Sequence, residues 1–540
     1  MFGVAPAQQH STIASPPRAT PPSFTIDVRL SALRKCQYLC WLSAAALAPS
    51  RLVAQRAGME PLVLIGGEGE ERRRLEQLVG ARAGDGILLR SLSRSMEWKP
   101  DSSEWRLYLL APELRFVGNS ALPLSLNDGP LRASRGMNAM LTAGIDIRVG
   151  AVRLVVVPQI IAEQNRPFQV IQYPQGPALP RSVWANPFHP LPESIDLPLR
   201  FGDRSHTRVD AGQSSLTVRV GPTELGAATE NLWWGPGIRN AIVLSNNAAG
   251  FPHLLARSAE PLRTRIGALE FDVVLGRLSE SPYFDLDPSN DRRAVAGAAL
   301  AWRPRGATGL QLGLSRLRIA GQGEHDQMSS LYGRWLFAPV GFEAYAEWAR
   351  FEDPTSLRDL LEYPNHSQGY TMGLQWARPL SRRRTFRLQA EVSYLEPSAS
   401  LRVRPVLTSY TSSRVPQGFT QRGEVLGASI GPGSSSQWLA GDVFAPNWRL
   451  GVFGGRTRYD NGVLYEPIVP GFKLQDVSIL GGLRASTSYR GIGVSMEFTD
   501  TARLNYLYQA YIADAAAGTS GGVDIGNRTL SLTISSAVGR

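Results

Sequence analysis

Residues 139–149 read AMLTAGIDIRV. Ala139, Leu141, Ala143, Ile145, Ile147 and Val149 alternate with Met140, Thr142, Gly144, Asp146 and Arg148. A strand turns successive side chains to opposite faces, so this pattern predicts one apolar face and one polar face. The alternation recurs at Leu216, Val218 and Val220, and at Leu269, Phe271, Val273 and Leu275. It returns at Phe386, Leu388, Ala390, Val392 and Tyr394, at Ile492, Val494, Met496 and Phe498, and at Leu530, Leu532 and Ile534. The intervening positions include Arg219, Glu270, Asp272, Arg387 and Glu391. In a soluble sandwich such charges face water. In a transmembrane barrel the apolar face meets lipid and the charged face lines the lumen.

Connection lengths favour the barrel. Short turns are expected at 150, 338–341, 378–384 and 500–502. Long Pro/Gly/Ser-rich loops are expected at 159–210, 277–292, 352–369, 396–423, 456–473 and 513–526. Short turns at one end and long loops at the other are what membrane barrels show. Trp302, Trp335, Trp348, Trp376, Trp448, Tyr506 and Tyr508 fall near predicted strand ends, where interfacial aromatic girdles belong. The expected fold class is therefore all-β: a transmembrane up-and-down antiparallel β-barrel of about 18 strands. A short helical periplasmic N-terminal part precedes it, because Leu75, Leu78 and Val79 have helical spacing within 68–86. The chain ends SAVGR, which puts the end of the last strand near Ile534. Glu270, Asp272, Glu343, Glu347 and Glu391 are read as lumen carboxylates paired with lumen arginines such as Arg219 and Arg387.

The N-terminus has the layout of an export signal. Arg29, Arg34 and Lys35 precede a short apolar run, YLCWLSAAALA at 38–48. Small residues follow, and the run is shorter than the roughly 20 apolar residues of a spanning helix. The expected organisation is 1–27 as an over-annotated or disordered extension, 28–54 as signal peptide, 55–103 as a periplasmic segment with a short helix, and 104–540 as the barrel. The two cysteines, Cys36 and Cys40, fall in the signal segment, so the mature chain has no disulfide framework. The net charge is +11, carried by arginine; Lys35, Lys99 and Lys473 are the lysines. No Lys/Arg block marks a nucleic-acid surface.

Residues 230–252, ENLWWGPGIRNAIVLSNNAAGFP, form the least random stretch. Trp233 and Trp234 abut a turn of Gly235, Pro236 and Gly237. Ser245, Asn246 and Asn247 make a second turn, and Gly250, Phe251 and Pro252 a third. Glycine and proline fix tight bends and asparagine tolerates left-handed backbone, so this is a shaped loop. By itself it reads either as a packed turn or as a sugar-stacking or plug segment. Counting strands from residue 139 puts it at the short-turn, periplasmic end, which favours a plug or periplasmic structural role.

Asn231 to Gly237 (NLWWGPG), followed by LSNNA at 244–248 and GFP at 250–252, resembles the central motif of the Wzi capsule-assembly family. QRGEVLG at 421–427 with GPGS at 431–434 is similar to a second block of that family. The resemblance runs from about Trp105 to the C-terminus. It implies an outer-membrane barrel with a helical periplasmic part that holds capsular polysaccharide in a lectin-like way.

A catalytic reading finds little support. Six histidines are scattered, without the spacing of metal ligands. His366 beside Ser367 lacks a third orienting group in sequence reach. Glycan contact asks for aromatic faces and for Arg or Asn side chains in exposed loops. The candidates are Trp184, His189, Tyr363, Asn365, His366, Arg402, Arg404 and Tyr410. The expected function is that of a non-catalytic outer-membrane protein that binds or organises capsular polysaccharide or exopolysaccharide. A diffusion or polysaccharide-export porin is the first alternative and an outer-membrane hydrolase the second. Expected partners are surface polysaccharide and outer-membrane lipid, with an export machinery as a further candidate. No nucleic acid and no cofactor is expected, and the protein is expected to be monomeric.

Overall fold

In the strand Gly136–Val149, Thr142 and Asp146 are buried while Val149 is exposed, as the alternation requires. The computed structural model describes residues 58–536 apart from 85, 97, 99–104, 175–180, 191–192, 466–473 and 510–522. The readings at 1–27 and 28–54, with Cys36 and Cys40, lie outside the described residues. Everything below concerns the compact unit Ala46–Arg540.

Eighteen antiparallel strands close into a barrel. The first, Trp105–Asn119, pairs with the last, Ile525–Ser536, from Glu113↔Ser535 to Asn119↔Thr529. Nearer the short-turn end the first strand also takes Gly58–Glu60 as a parallel partner at Tyr108–Leu110. Seven connections at one end are tight, among them 150–151, 221–222, 382–383 and 490–491. At the other end run the long loops 120–135, 164–205, 280–291, 351–367, 395–434, 459–476 and 505–524. Leu314, Leu331, Trp335, Met372, Leu450 and Leu483 are exposed on the outer wall, where a lipid-facing surface requires them.

Three local differences from the sequence reading have physical causes. The segment expected as one loop at 159–210 contains two strand halves, Gln159–Glu163 and His206–Asp210. They continue Val152–Val156 and Ser215–Val220 across breaks at Pro158 and at 211–214. Proline lacks the N–H that a continuous ladder needs. Thr223–Ala228, TELGAA, is a barrel strand that its Gly and Ala content disguises. Tyr506 and Tyr508 do not join an outer girdle: both are buried in a loop cluster with Phe188 and Leu122.

The lumen is filled. The helix Glu68–Leu78 lies at the short-turn end, packing Leu75 and Leu78 on Leu336, Ala377 and Phe444. Its charges engage the wall. Arg74 pairs with Glu343, which also takes Arg334 at 2.7 Å. Glu71 meets Arg387 at 2.9 Å and Arg449 at 2.6 Å. The wall residue Asp442 sits among Arg387 at 2.9 Å, Arg449 at 2.9 Å and Arg484 at 2.6 Å. Desolvating charges in this way is costly unless each is paired, so removing one partner is worse than never having had the group. Asp442→Ala takes from three buried arginines the carboxylate they share and leaves them only Glu68 and Glu71 of the helix. It should destabilise the barrel by about 3–5 kcal/mol, measured as a lower temperature for loss of the compact band in unboiled electrophoresis.

Candidate functional site

Between Thr223–Ala228 and His253–Ser258 the chain leaves the wall and enters the lumen. These two strands are joined on the long-loop side, so the tryptophan motif does not hang from the short-turn end. Thr223–Ala228 adds one crossing to the count from residue 139 and so moves the motif to the other end.

Inside, 229–252 is almost without regular structure, and its backbone groups need partners. Trp233 and Trp234 form a two-residue ladder with Leu89–Arg90. Both indoles are fully buried. The Arg90 guanidinium lies 4.4 Å from the Trp233 ring, and Trp234 Nε1 donates to Asp272 at 3.2 Å. Glu391 accepts from the Ile238 N–H at 2.6 Å and from the Asn240 N–H at 2.9 Å, with Arg239 N also in reach at 3.2 Å. Tyr345 Oη donates to the same carboxylate at 2.8 Å. Glu347 accepts from Ile242 N at 3.1 Å. Glu230 accepts from Ser93 N at 2.9 Å and Ser93 Oγ at 2.6 Å, and Arg257 pairs with it at 3.1 Å. Two of the expected arginine partners, Glu347 and Glu391, thus serve backbone amides of the motif. Asn231 Nδ2 donates to Ala248 O at 2.7 Å and Asn246 Nδ2 to Asn127 O at 2.9 Å. Gly235 has φ +107°, and a Cβ there would lie 2.8 Å from Glu347 Oε2.

The two sequence blocks meet in the lumen. Ser245 N donates to Leu426 O at 2.9 Å, Ser245 Oγ to Gly427 O at 2.6 Å and Asn247 Nδ2 to Val425 O at 2.8 Å. Tyr410 is wholly buried between them: its hydroxyl donates to Ile242 O at 2.8 Å and accepts from Ala428 N at 2.9 Å. Tyr410 is therefore no surface contact for a glycan, and its aromatic–Arg loop context had suggested otherwise.

At the long-loop end lies a polar cleft of about 550 Å³. Glu193, Asp326, Glu352, Asp353, Arg404 and Arg414 give it its charges, and His189 and His325 stand beside them. Arg404 pairs with Asp359 at 2.5 Å. Glu193 accepts from Thr411 Oγ1 at 2.5 Å and from Thr408 N. Asp353 takes Arg316 and Gln327. His189 is buried, its Nε2 at 2.5 Å from Asp460. Burial disfavours its charged form, but the Asp460 carboxylate outweighs that, and Glu193 adds to it, so the pKa lies above the ordinary histidine value.

Of the sequence candidates, His189 and Arg404 line the cleft. His366 is buried behind it, with Nε2 at 3.2 Å from Glu352 and Nδ1 at 3.3 Å from Ser400. Ser367 Oγ accepts from Glu352 N at 3.1 Å. Tyr363 is exposed and Asn365 half-buried, and the Tyr363 carbonyl accepts from Arg350 at 3.2 Å. Arg402 is exposed on the loop that carries Arg404 but does not line the cleft. Trp184 lies elsewhere, half-buried under the Arg200 guanidinium at 5.2 Å. Sequence reasoning missed Glu193, Asp326, Glu352, Asp353 and Arg414. They come from three separate long loops and, for Asp326, from the end of the strand Glu324–Phe337, and only PESID at 192–196 and FEDP at 351–354 give a local sign, acids beside loop prolines.

Residues 132–340 match the family model described as capsule assembly protein Wzi, so the resemblance read from the motif is borne out over that span. Among solved structures, the chain is similar to Wzi of Escherichia coli, described as an outer-membrane protein involved in group 1 capsule assembly and as a carbohydrate-binding β-barrel. That likeness has a TM-score of 0.53 at 12% identity, covering 79% of this chain and 85% of that one. It is also similar to OccK2 (OpdF) of Pseudomonas aeruginosa, at a TM-score of 0.39 and 12% identity over 80% of this chain and 97% of that one. OprD of the same organism gives 0.39 and 12% over 79% and 92%. No curated protein sequence matches.

Gly427→Ala tests the junction, because a Cβ there would lie 1.9 Å from Ile242 O. Amide exchange at 238–246 and 423–428 should accelerate at least tenfold. Gly526→Ala, with nothing within 4 Å of its Cβ, should leave it unchanged. The His189–Asp460 tie stabilises below the ordinary imidazole value of about 6.5 and is lost as pH rises through the raised folded value. Thermal stability of the loop end should fall over that rise, and Asp460→Asn should flatten the dependence.

Proposed function

We propose that this chain is an outer-membrane β-barrel that binds or organises capsular polysaccharide or exopolysaccharide at the cell surface, without catalysis. The observation that carries the reading is the polar cleft between long loops on a barrel whose lumen is filled. A sugar chain needs hydroxyl and carboxylate partners at an open surface. Arg404, Arg414, Glu193 and Glu352 offer them within one cleft. Tyr363, Asn365 and Arg402 stand on the loops around it and are proposed as additional contacts. Trp184 lies outside the cleft, so its contact would be with a more distant part of a long chain. His366 holds Glu352 from behind and acts by positioning.

In this reading residues 28–54 are a cleaved signal peptide, 55–103 a segment that enters from the periplasmic end, and 104–540 the barrel. The protein works as a monomer, with the long loops outside the cell and any export machinery on the short-turn side. The match of 132–340 to a capsule-assembly family supports it. The filled lumen supports it over a diffusion or export porin. His366 turned to Glu352 and Ser400 supports it over a hydrolase.

Binding of the organism's own surface polysaccharide to the detergent-solubilised protein tests this. A charged hydrogen bond is worth about 1.5 kcal/mol or more. Arg404→Ala with Arg414→Ala should therefore weaken binding on the order of a hundredfold, while Arg318→Ala on the outer wall should not. Equal binding by the double variant and the wild type would remove the cleft from the account.

A further inference from the structure

The outer wall carries a recess that the lumen and the cleft do not explain. It has a volume of about 960 Å³ and is lined by Val156, Leu216, Leu254, Leu275, Ala294 and Ala296, with Arg277 and Arg318 among its other residues. Its origin is a difference in strand length. Thr223–Ala228 and His253–Ser258 have six residues each, because the chain between them turns into the lumen. On one side Gly267–Ser279, which pairs with His253–Ser258, and beyond it Arg292–Pro304 have thirteen each. The wall is therefore dented above the short pair, and alanines at 227, 294 and 296 keep the floor low.

The residues named have two chemistries. Val156, Leu216, Leu254 and Leu275 are exposed apolar side chains on the face that meets hydrocarbon. Toward the long-loop end stand three exposed, outward-facing arginines. Arg277 is in register with Ala294 and Arg318 with Ala296, so the two flank the alanine pair from either side. Arg292 is the next outward position beyond Ala294. Among the described residues, none of these three guanidiniums has a carboxylate or hydrogen-bond partner, whereas Arg316 on the same strand pairs with Asp353. The outward-facing positions of the strands Thr223–Ala228, His253–Ser258, Gly267–Ser279, Arg292–Pro304 and Leu310–Gly321 carry no Asp or Glu. Unpaired guanidiniums beside an apolar trough, at the level where hydrocarbon gives way to headgroups, match an amphiphile with an anionic head.

We propose that this recess seats an acyl chain of a membrane lipid in the long-loop leaflet, and that Arg277, Arg292 and Arg318 bind its phosphorylated headgroup. The proposal rests on the outer-membrane reading but not on the polysaccharide cleft. A lipid held there braces the wall where the chain enters the lumen, beside Pro252, whose carbonyl accepts from Arg277 N at 3.0 Å.

Native mass spectrometry of the purified full chain in a neutral sugar detergent tests it, with diphosphoryl lipid A, an uncharged diacylglycerol and inorganic pyrophosphate as the three probes. The wild type should retain lipid A at least tenfold better than either other probe. Arg277→Ser/Arg292→Ser/Arg318→Ser should lose that preference. Ala296→Phe, which fills the trough with the arginines in place, should lower lipid A retention as well. The single variant Arg318→Ser gives the same reading in smaller measure should the triple variant fail to fold. Equal lipid A retention by wild type and all variants would overturn the site. Retention of pyrophosphate matching that of lipid A would overturn the acyl trough. Polysaccharide binding by the same preparations should be unchanged, which separates failure here from failure of the cleft.

Discussion

Irregular backbone enclosed in a barrel has no bulk water to satisfy its N–H and C=O groups, and this constraint shapes the lumen. The loop at 229–252 brings its amides to the wall, and the wall answers with carboxylates. Glu391 takes the N–H groups of 238–240, Glu347 takes that of Ile242, and Glu230 ties the loop to Ser93. An unmet buried amide costs on the order of 1–3 kcal/mol. Replacing these acids by apolar residues would therefore empty the lumen of its loop. The N-terminal helix meets the wall through Glu71 with Arg387 and Arg74 with Glu343, and meets the loop through Arg90, which pairs with Glu70 and donates to the carbonyls of Gly235 and Gly237. Helix, loop and wall are thus one network, and each part lacks partners without the other two.

A buried ion pair adds little stability by itself, because desolvation offsets the attraction. The second block, 421–434, is placed by hydrogen bonds, from Ser245 to Leu426 and Gly427 and from Asn247 to Val425. Gly427 passes so close to Ile242 that only a hydrogen fits, and Tyr410 locks both backbones. The long loops leave this fixed base and converge at the other end. That is why side chains from residues 189 to 414 share a single cleft. A filled lumen moves the chemistry of the molecule to its loop end and to its outer wall.

The barrel was legible because a lipid-facing strand must alternate, and Gly136–Val149 or Arg384–Tyr394 do so plainly. The strands that escaped are those where another demand overrides alternation. Gln159–Glu163 follows a proline break, and Thr223–Ala228 is short because the chain then dives inward. Missing that one strand reversed the end assigned to the tryptophan motif. His189 and Arg404 were found from residue type in a loop. Arg414 and Asp326 were not, since their meeting depends on how three long loops fold toward the end of the strand Glu324–Phe337, which no local pattern records. Tyr410 shows the converse: residue type suggested a surface contact, and the fold made it the pin between two buried loops.

Planar-bilayer conductance and polysaccharide binding, recorded on one preparation of the wild-type protein, test the central claim most directly. Saturable binding of the surface polysaccharide with negligible steady current is expected, because helix and loops fill the lumen. Stable open-channel current without binding would contradict it and would make the barrel a pore.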